Sequence, residues 1–537
     1  MTAEIIEVPR QAGPTAPPPG APAPRRPWRG LLWRCVLAPL VVLAPLVTLT
    51  FSADHRFNVY NSGGLWAAHP WRLVAEAVTS VPQYLDRGNF RPLGRVLEWS
   101  LDVAAFGLTG LFGLPATIAL RVVSFAAAIL LTVAAVVLVE AVTARRQRLF
   151  AGPPSVVAAL LPFAIAAGLV AAGRLSTTVV FGGLYLTTSA LVLGVTAWAC
   201  RARRAGVLVV LVGAALAAFN ELAYIAVPLA TVAVLLRGRL VLGLDRRAQL
   251  RSASARFAGL LWVGFLPVFV PVRLIIRQRC AGGGCYVGSD IAYGGAAATL
   301  PDRLVSWLPP LMWPRATGGE FPHLAAMLPA LAFVALALLA WRALRDVARR
   351  GESGPVPGRR ALPTLDGRQA LALAGVAAAL LVLAGTLASL NADVQTLAAA
   401  GRWGQGWRDS GLTTVAGGIL VLAFWRRFVV VALALLVVAG TVSAAANKDF
   451  RDASAGGRYP YLYDRIAQEV AGFDRTPEAD ARRCALRDAF IQTSAGNHHG
   501  VADRREVERF DMSLDRATRQ LAGRRFCSVA KEASTVR

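Results

Sequence analysis

Lysine is nearly absent from this chain. Lys448 and Lys531 are the only two among 57 basic residues, set against 32 acidic ones in a total of 537. The net charge of +25 is therefore carried by arginine. An excess of this size raises the question of nucleic acid, and the positions of the arginines argue against it. They gather in short stretches between apolar runs: Arg145, Arg146 and Arg148; Arg201, Arg203 and Arg204; Arg237, Arg239, Arg246 and Arg247; Arg342, Arg345, Arg349 and Arg350; Arg426 and Arg427. That is the charge pattern of cytoplasmic loops in a membrane protein. Other absences narrow the reading further. The centres of the apolar runs are nearly free of charge and the chain has no internal repeat, which counts against a transporter. The first apolar run is followed by no small-residue cleavage motif, so it reads as a retained helix and not a signal peptide. Cysteine and histidine spacings match no zinc finger.

What is abundant is apolar sequence. Hydrophobic residues make up 55% of the chain and mean hydropathy is +0.50. Runs of about 20 apolar residues recur, the length that crosses a bilayer as a helix. About eleven such helices are expected, near 31–51, 115–142, 154–173, 182–200, 206–220, 222–237, 257–275, 323–343, 369–390, 411–425 and 428–446. The pair 206–220 and 222–237 is separated by a break at Phe219-Asn220-Glu221. Residues 1–30 form a Pro/Ala-rich tail expected to be disordered and cytoplasmic. The expected arrangement is an all-α polytopic membrane domain over 31–446, with the N-terminus inside and a small helical extracytoplasmic domain over 447–537. Two further outer pieces are expected at 52–114 and 276–322.

The cysteines agree with this topology. Cys280 and Cys285 lie in one outer piece, Cys484 and Cys527 in another, and two even pairs in an oxidising compartment point to disulfides. Cys35 and Cys200 fall in apolar helices. In the C-terminal segment Thr476-Pro477-Glu478 is a helix start, and Val507, Phe510 and Leu514 share one face of a second helix over about 504–521.

The first outer piece holds most of the chemistry-bearing residues. Asp54-His55-Arg56 opens it, Asn61 follows, and an amphipathic stretch over 70–81 precedes Asp86 and Arg91-Pro92-Leu93-Gly94. Glu76, Asp86 and Asp102 read as surface charges. A carboxylate such as Asp54 at the exit of a membrane helix is hydrated and can meet a lipid-borne substrate; taken alone it is equally a solvated helix end.

In its order of a first helix, an outer acidic residue, Asn61, Arg91-Pro92-Leu93 and then Glu221 in an outer turn before Pro228, the chain resembles the GT-C superfamily of polytopic glycosyltransferases. The resemblance spans about residues 31–240. Two positions depart from the pattern: His55 stands where a second acid is usual, and Asn220 where a lysine precedes the carboxylate. The resemblance implies inverting transfer of a sugar from a polyprenyl-phosphate donor to an extracytoplasmic glycan or protein acceptor. It makes Asp54 the base and Glu221 a second catalytic carboxylate. It gives substrate binding to His55, Arg56, Asn61, Arg91, Arg174 and Arg273, and it allows a divalent metal without requiring one. Two other readings stay open, a transporter and a non-catalytic membrane scaffold.

Overall fold

A computed structural model describes residues 25–51, 55–145, 153–281, 285, 291–348, 365–402, 406–454, 462–497 and 504–528. Its helices run α1 (Arg25–Leu43), α2 (His55–Ala67), α3 (Pro70–Thr79), α4 (Val81–Leu85), α5 (Pro92–Phe112), α6 (Ala116–Thr143), α7 (Val156–Gly168), α8 (Gly182–Arg201), α9 (Val207–Ala217), α10 (Ala226–Leu236) and α11 (Arg246–Arg251). They continue as α12 (Ala253–Cys280), α13 (Ala296–Val305), α14 (Pro309–Ala316), α15 (Met327–Ala348), α16 (Gly367–Ser389), α17 (Ala392–Ala399), α18 (Ser410–Phe424), α19 (Val429–Ser454), α20 (Leu462–Ala471), α21 (Pro477–Asn497) and α22 (Arg504–Ala522). Among the described residues the only β pairing is an isolated bridge from Ile291 to Asn391. The fold is all-α.

Among the described residues eight helices are long and apolar enough to cross a membrane: α1, α6, α8, α10, α12, α15, α16 and α19. For α10 this length includes the turns on either side, which extend the segment to Glu221–Val241. Three more apolar helices, α7, α9 and α18, are shorter. All eleven expected apolar segments are therefore helical, but length supports only eight as spanning. The shortening of α7 has a visible cause. Its chain leaves the helix at Leu169, and the buried Asn447 of α19 takes over the orphaned backbone groups, accepting from Ala171 N at 2.7 Å and donating to Leu169 O at 2.9 Å. The same amide donates to Val42 O of α1 at 2.9 Å. Other boundaries also move: α1 begins ahead of residue 31 and ends at Leu43, before Pro45, α12 extends over Ala253–Cys280, and α19 runs on to Ser454.

Side-chain contacts sort the helix ends into two groups. At one end, Arg201 and Arg237 donate to the Ala144 carbonyl at 3.1 and 3.2 Å, Arg145 pairs with Asp366 at 2.7 Å, and Arg426 reaches the Leu365 carbonyl at 3.3 Å. Four of the five arginine clusters thus meet there. The described residues of the long connections over 44–115, 281–326 and 390–409, and of the segment after 454, lie at the other end. In between, α8 is central, with 78% of its apolar window buried, and α12 is peripheral, with 17%. The contact of α9 with α12 is close enough that a Cβ on Gly213 or Gly264 would collide with the backbone of the partner helix.

The C-terminal helices share a core with the second, fifth and sixth. Tyr60, Phe106, Phe490, Phe510 and Leu514 are all buried in it, and Val507 packs against it. The Phe490 and Phe510 rings stack with centroids 3.8 Å apart. Thr476 caps α21, accepting from Ala479 N at 3.3 Å. Asp464 of α20 caps α6, accepting from the Thr117 backbone N–H at 2.6 Å and its hydroxyl at 2.7 Å. Both expected disulfides form, Cys280–Cys285 and Cys484–Cys527, with Cα atoms 5.6 and 5.0 Å apart. Cys35 and Cys200 are free and buried.

Candidate functional site

The break at Phe219-Asn220-Glu221 builds the site. Asn220 is fully buried; its side chain accepts from Ala223 N at 3.2 Å, capping a short 3₁₀ turn that opens with Glu221, and donates to Thr188 of α8 at 2.9 Å. Where the resemblance leads one to expect lysine, this position does a backbone job. The last carbonyls of α9 have no partners within their helix, and neither do the first N–H groups of α5. They satisfy one another: Leu93 N donates to Ala218 O and Gly94 N to Phe219 O, both at 3.1 Å. The approach requires glycine, because a Cβ at position 94 would strike the Phe219 carbonyl. The two motifs singled out in sequence, Arg91-Pro92-Leu93 and Asn220-Glu221, are thereby held together.

Glu221 faces three cations. Arg408 Nη1 stands 4.0 Å from its carboxylate, and the charges of Arg91 and Arg273 also act on it. Each arginine is held from a second side. The Arg408 guanidinium lies 5.6 Å from the Tyr185 ring centroid and 5.2 Å from that of Trp407. Arg273 lies 5.2 Å from the Tyr224 ring and hydrogen-bonds its hydroxyl. Arg91 stands 3.8 Å from Glu98, about two turns along α5. Arg408 is followed by Asp409, which is fully buried and paired at 2.5 Å with the equally buried Arg303 of α13. That pair fixes the start of α18 and with it the backbone that presents Arg408. Arg303, Arg408 and Asp409 were not among the candidates drawn from sequence. The local signal was a charged pair, Arg408-Asp409, beside Trp407 between two apolar runs.

Beneath the site α5 carries a second polar layer. Arg95 is buried over the Tyr84 ring, 3.0 Å from its centroid, and burial together with the neighbouring Arg91 charge lowers its pKa to about 10. Asp102, expected on the surface, is buried at 4% exposure, because α5 is sandwiched between α2 and α6. Burial, and secondarily Glu98, pushes its carboxyl well above the usual range, against a hydrogen bond from Ser62. Asp86 is an exposed charge as expected, paired with Arg279.

Asp54 lies outside the described residues. His55, Arg56 and Asn61 belong to α2, and their side chains are likewise outside the described part. Arg174 is exposed on the loop after α7 and is not one of the three arginines acting on Glu221. Of the proposed set, then, the structure brings together Glu221, Arg91 and Arg273, and adds Arg408. Among the described residues no group of three or more His, Cys, Asp and Glu is placed to hold a metal ion. Glu221 is already paired with the Arg408 guanidinium and lies under the charge of Arg91 and Arg273, so this half of the site does not fit a divalent cation. Three cations around one carboxylate leave net positive charge, bordered by aromatic faces, in a partly sheltered place. Such a place suits an anion with several acceptor oxygens, and phosphate is the natural match for arginine forks. No family model, curated protein or solved structure matches the chain.

Proposed function

We propose that this protein is a multi-pass membrane glycosyltransferase of the GT-C kind. It moves a sugar from a polyprenyl-phosphate donor to an extracytoplasmic glycan or protein acceptor, with inversion. The observation that carries the reading is the pairing of Arg408 with Glu221, on which the charges of Arg91 and Arg273 also act, on a turn to which Arg91-Pro92-Leu93-Gly94 is docked. In this reading the arginines hold the lipid-linked phosphate and stabilise its charge as the glycosidic bond breaks. Asp54 takes the proton from the attacking acceptor hydroxyl. Glu221 spaces the arginines and orients the acceptor.

The same reading fixes orientation. The arginine-rich end faces the cytoplasm, all eleven apolar helices cross, and the N-terminus lies inside with the C-terminal segment outside. Both disulfides then fall in an oxidising compartment.

The test is Asp54→Asn in the full chain, reconstituted in vesicles and supplied with undecaprenyl phosphate carrying a radiolabelled hexose or pentose. Transfer should fall about 10²–10⁴-fold with expression and both disulfides intact. A wild-type protein that transfers label, joined by an Asp54→Asn variant that transfers it equally well, removes Asp54 as the base. A wild-type protein inert toward the whole donor panel leaves the scaffold reading in its place.

A further inference from the structure

The half of α12 nearest Glu221 is built as an arm. Every buried side chain of this helix lies at or before Phe265, where it packs against α9 and α10. Further along, Phe269 and Arg273 rest on the Tyr224 ring, and Leu274 is 60% exposed. Between the packed half and the arm stand Pro267 and Pro271. Neither has an N–H to donate, so the carbonyls of Val263 and Pro267 lose their intrahelical bonds and the helix is weakest there. Arg273, whose charge acts on Glu221, lies beyond this weak point.

The tip of the arm is fastened. Cys280, the last residue of α12, is bonded to Cys285. Their disulfide lies against the turn after α4: a Cβ on Gly88 would fall 2.9 Å from Cys280 Sγ and 3.1 Å from Cys285 Cβ. Gly88 has a φ of +74°, so glycine serves both the turn and the contact. Arg279 pairs with Asp86 of the same turn. That turn leads directly into Arg91, so the elements bearing Arg91 and Arg273 are joined at the disulfide. The two cysteines are only 5 positions apart, against 43 for Cys484 and Cys527. So short a loop restricts the unfolded chain least, which leaves the contact with the turn as the main use of this bond.

We infer that the Cys280–Cys285 disulfide is a latch: it pins the hinged end of α12 to the 86–89 turn and thereby places Arg273 at Glu221 to meet a lipid-linked phosphate. The two cysteines are positioning residues. They lie about two helical turns, roughly 10 Å, from Arg273 and act through it. The phosphate rests on the function proposed above; the pinning of the arm does not.

Pulsed dipolar spectroscopy of the full chain, spin-labelled at Thr79→Cys on α3 and Arg277→Cys on the arm, both exposed positions, tests the latch. The distance distribution should be narrow with the disulfide intact and should broaden in Cys280→Ser/Cys285→Ser. Gly88→Ala displaces the disulfide without breaking it and should broaden the distribution too, so the latch stays testable if the serine variant folds poorly. Binding of undecaprenyl phosphate to the unlabelled chains, read by native mass spectrometry, tests the placement of Arg273. Cys280→Ser/Cys285→Ser and Arg273→Gln should each weaken binding about fivefold, the effect of one arginine beside a lipid phosphate. Combined they should weaken it no further, because both remove the same contact. Losses that multiply to about 25-fold would show that the disulfide acts on something other than Arg273 and overturn the placement. A distribution that stays narrow in both variants would overturn the latch. A wild-type chain that fails to bind undecaprenyl phosphate would overturn the phosphate, and the function proposed above with it, while the spin-label distances decide the latch on their own.

Discussion

The two ends of the bundle use arginine in opposite ways. At the arginine-rich end Arg201, Arg237 and Arg426 spend their donors on backbone carbonyls at helix ends. Such contacts satisfy orphaned acceptors and complement the helix dipole, and each needs only the last turn of a neighbouring helix. At the other end Arg91, Arg273 and Arg408 come from three distant stretches of chain, and the charges of all three act on one carboxylate, that of Glu221. The first use is structural and tolerant; the second concentrates charge. Residue type alone does not distinguish them. What does is whether the arginine's partner is backbone, which every helix end supplies, or an acid placed by a specific turn.

The comparison is sharpest in catalysis. Arg408→Gln keeps a polar side chain with an amide donor but is shorter and removes a cation from Glu221. Transfer rate should drop about 10²–10³-fold, read as initial rate in vesicles, while Arg201→Gln leaves it unchanged. Equal rates for the two variants would erase the distinction between the ends. Next in size is a pH effect confined to the site end. The folded state raises the Asp102 pKa, so the native protein holds this proton more tightly than the unfolded chain does. Its contribution is therefore favourable below the unfolded value of about 3.9 and is lost as pH rises from there toward the folded value. Asp102→Asn should flatten that decline and stabilise the protein at neutral pH by about 1–3 kcal/mol, measured as thermal midpoints from pH 4 to 8. An unchanged slope would show that Asp102 is not the titrating group. The smallest effect belongs to the arginine-rich end. Arg201→Gln leaves Arg237 on the same carbonyl and should cost only about 0.3–1 kcal/mol by chemical denaturation; a larger loss would mean that this end, too, depends on a concentrated charge.

Much of the architecture was legible because it is local. Apolar runs, the break at Phe219-Asn220-Glu221, the Thr476 cap and the amphipathic face of Val507, Phe510 and Leu514 each follow from residues within a few turns of one another. The disulfides followed from cysteine parity and topology. The helix ends were less legible: α7 stops where it does because Asn447, far along the chain, completes its last turn. The candidate site divides along the same line. Arg91 and Glu221 were found through short motifs, whereas Arg408 and the Arg303–Asp409 pair were missed, since a charge in a loop carries no mark of the partner it will meet. Asp102 was misread for a related reason. Its position on α5 indicates which face it occupies, but not that α2 and α6 cover both sides of that helix.

The cap that Asp464 places on α6 has a consequence for biogenesis. Thr117 and Asp464 are separated by 347 residues. At a synthesis rate of about 5–20 residues per second, some 20–70 s pass between the emergence of one and of the other. Through that interval the first turn of an early-inserted helix stands bare, with its N–H groups turned toward whatever solvent or chaperone is at hand. The first turn of α6 is therefore capped only after residue 464 has been made. A ribosome that stalls before residue 464 leaves α6 without that cap.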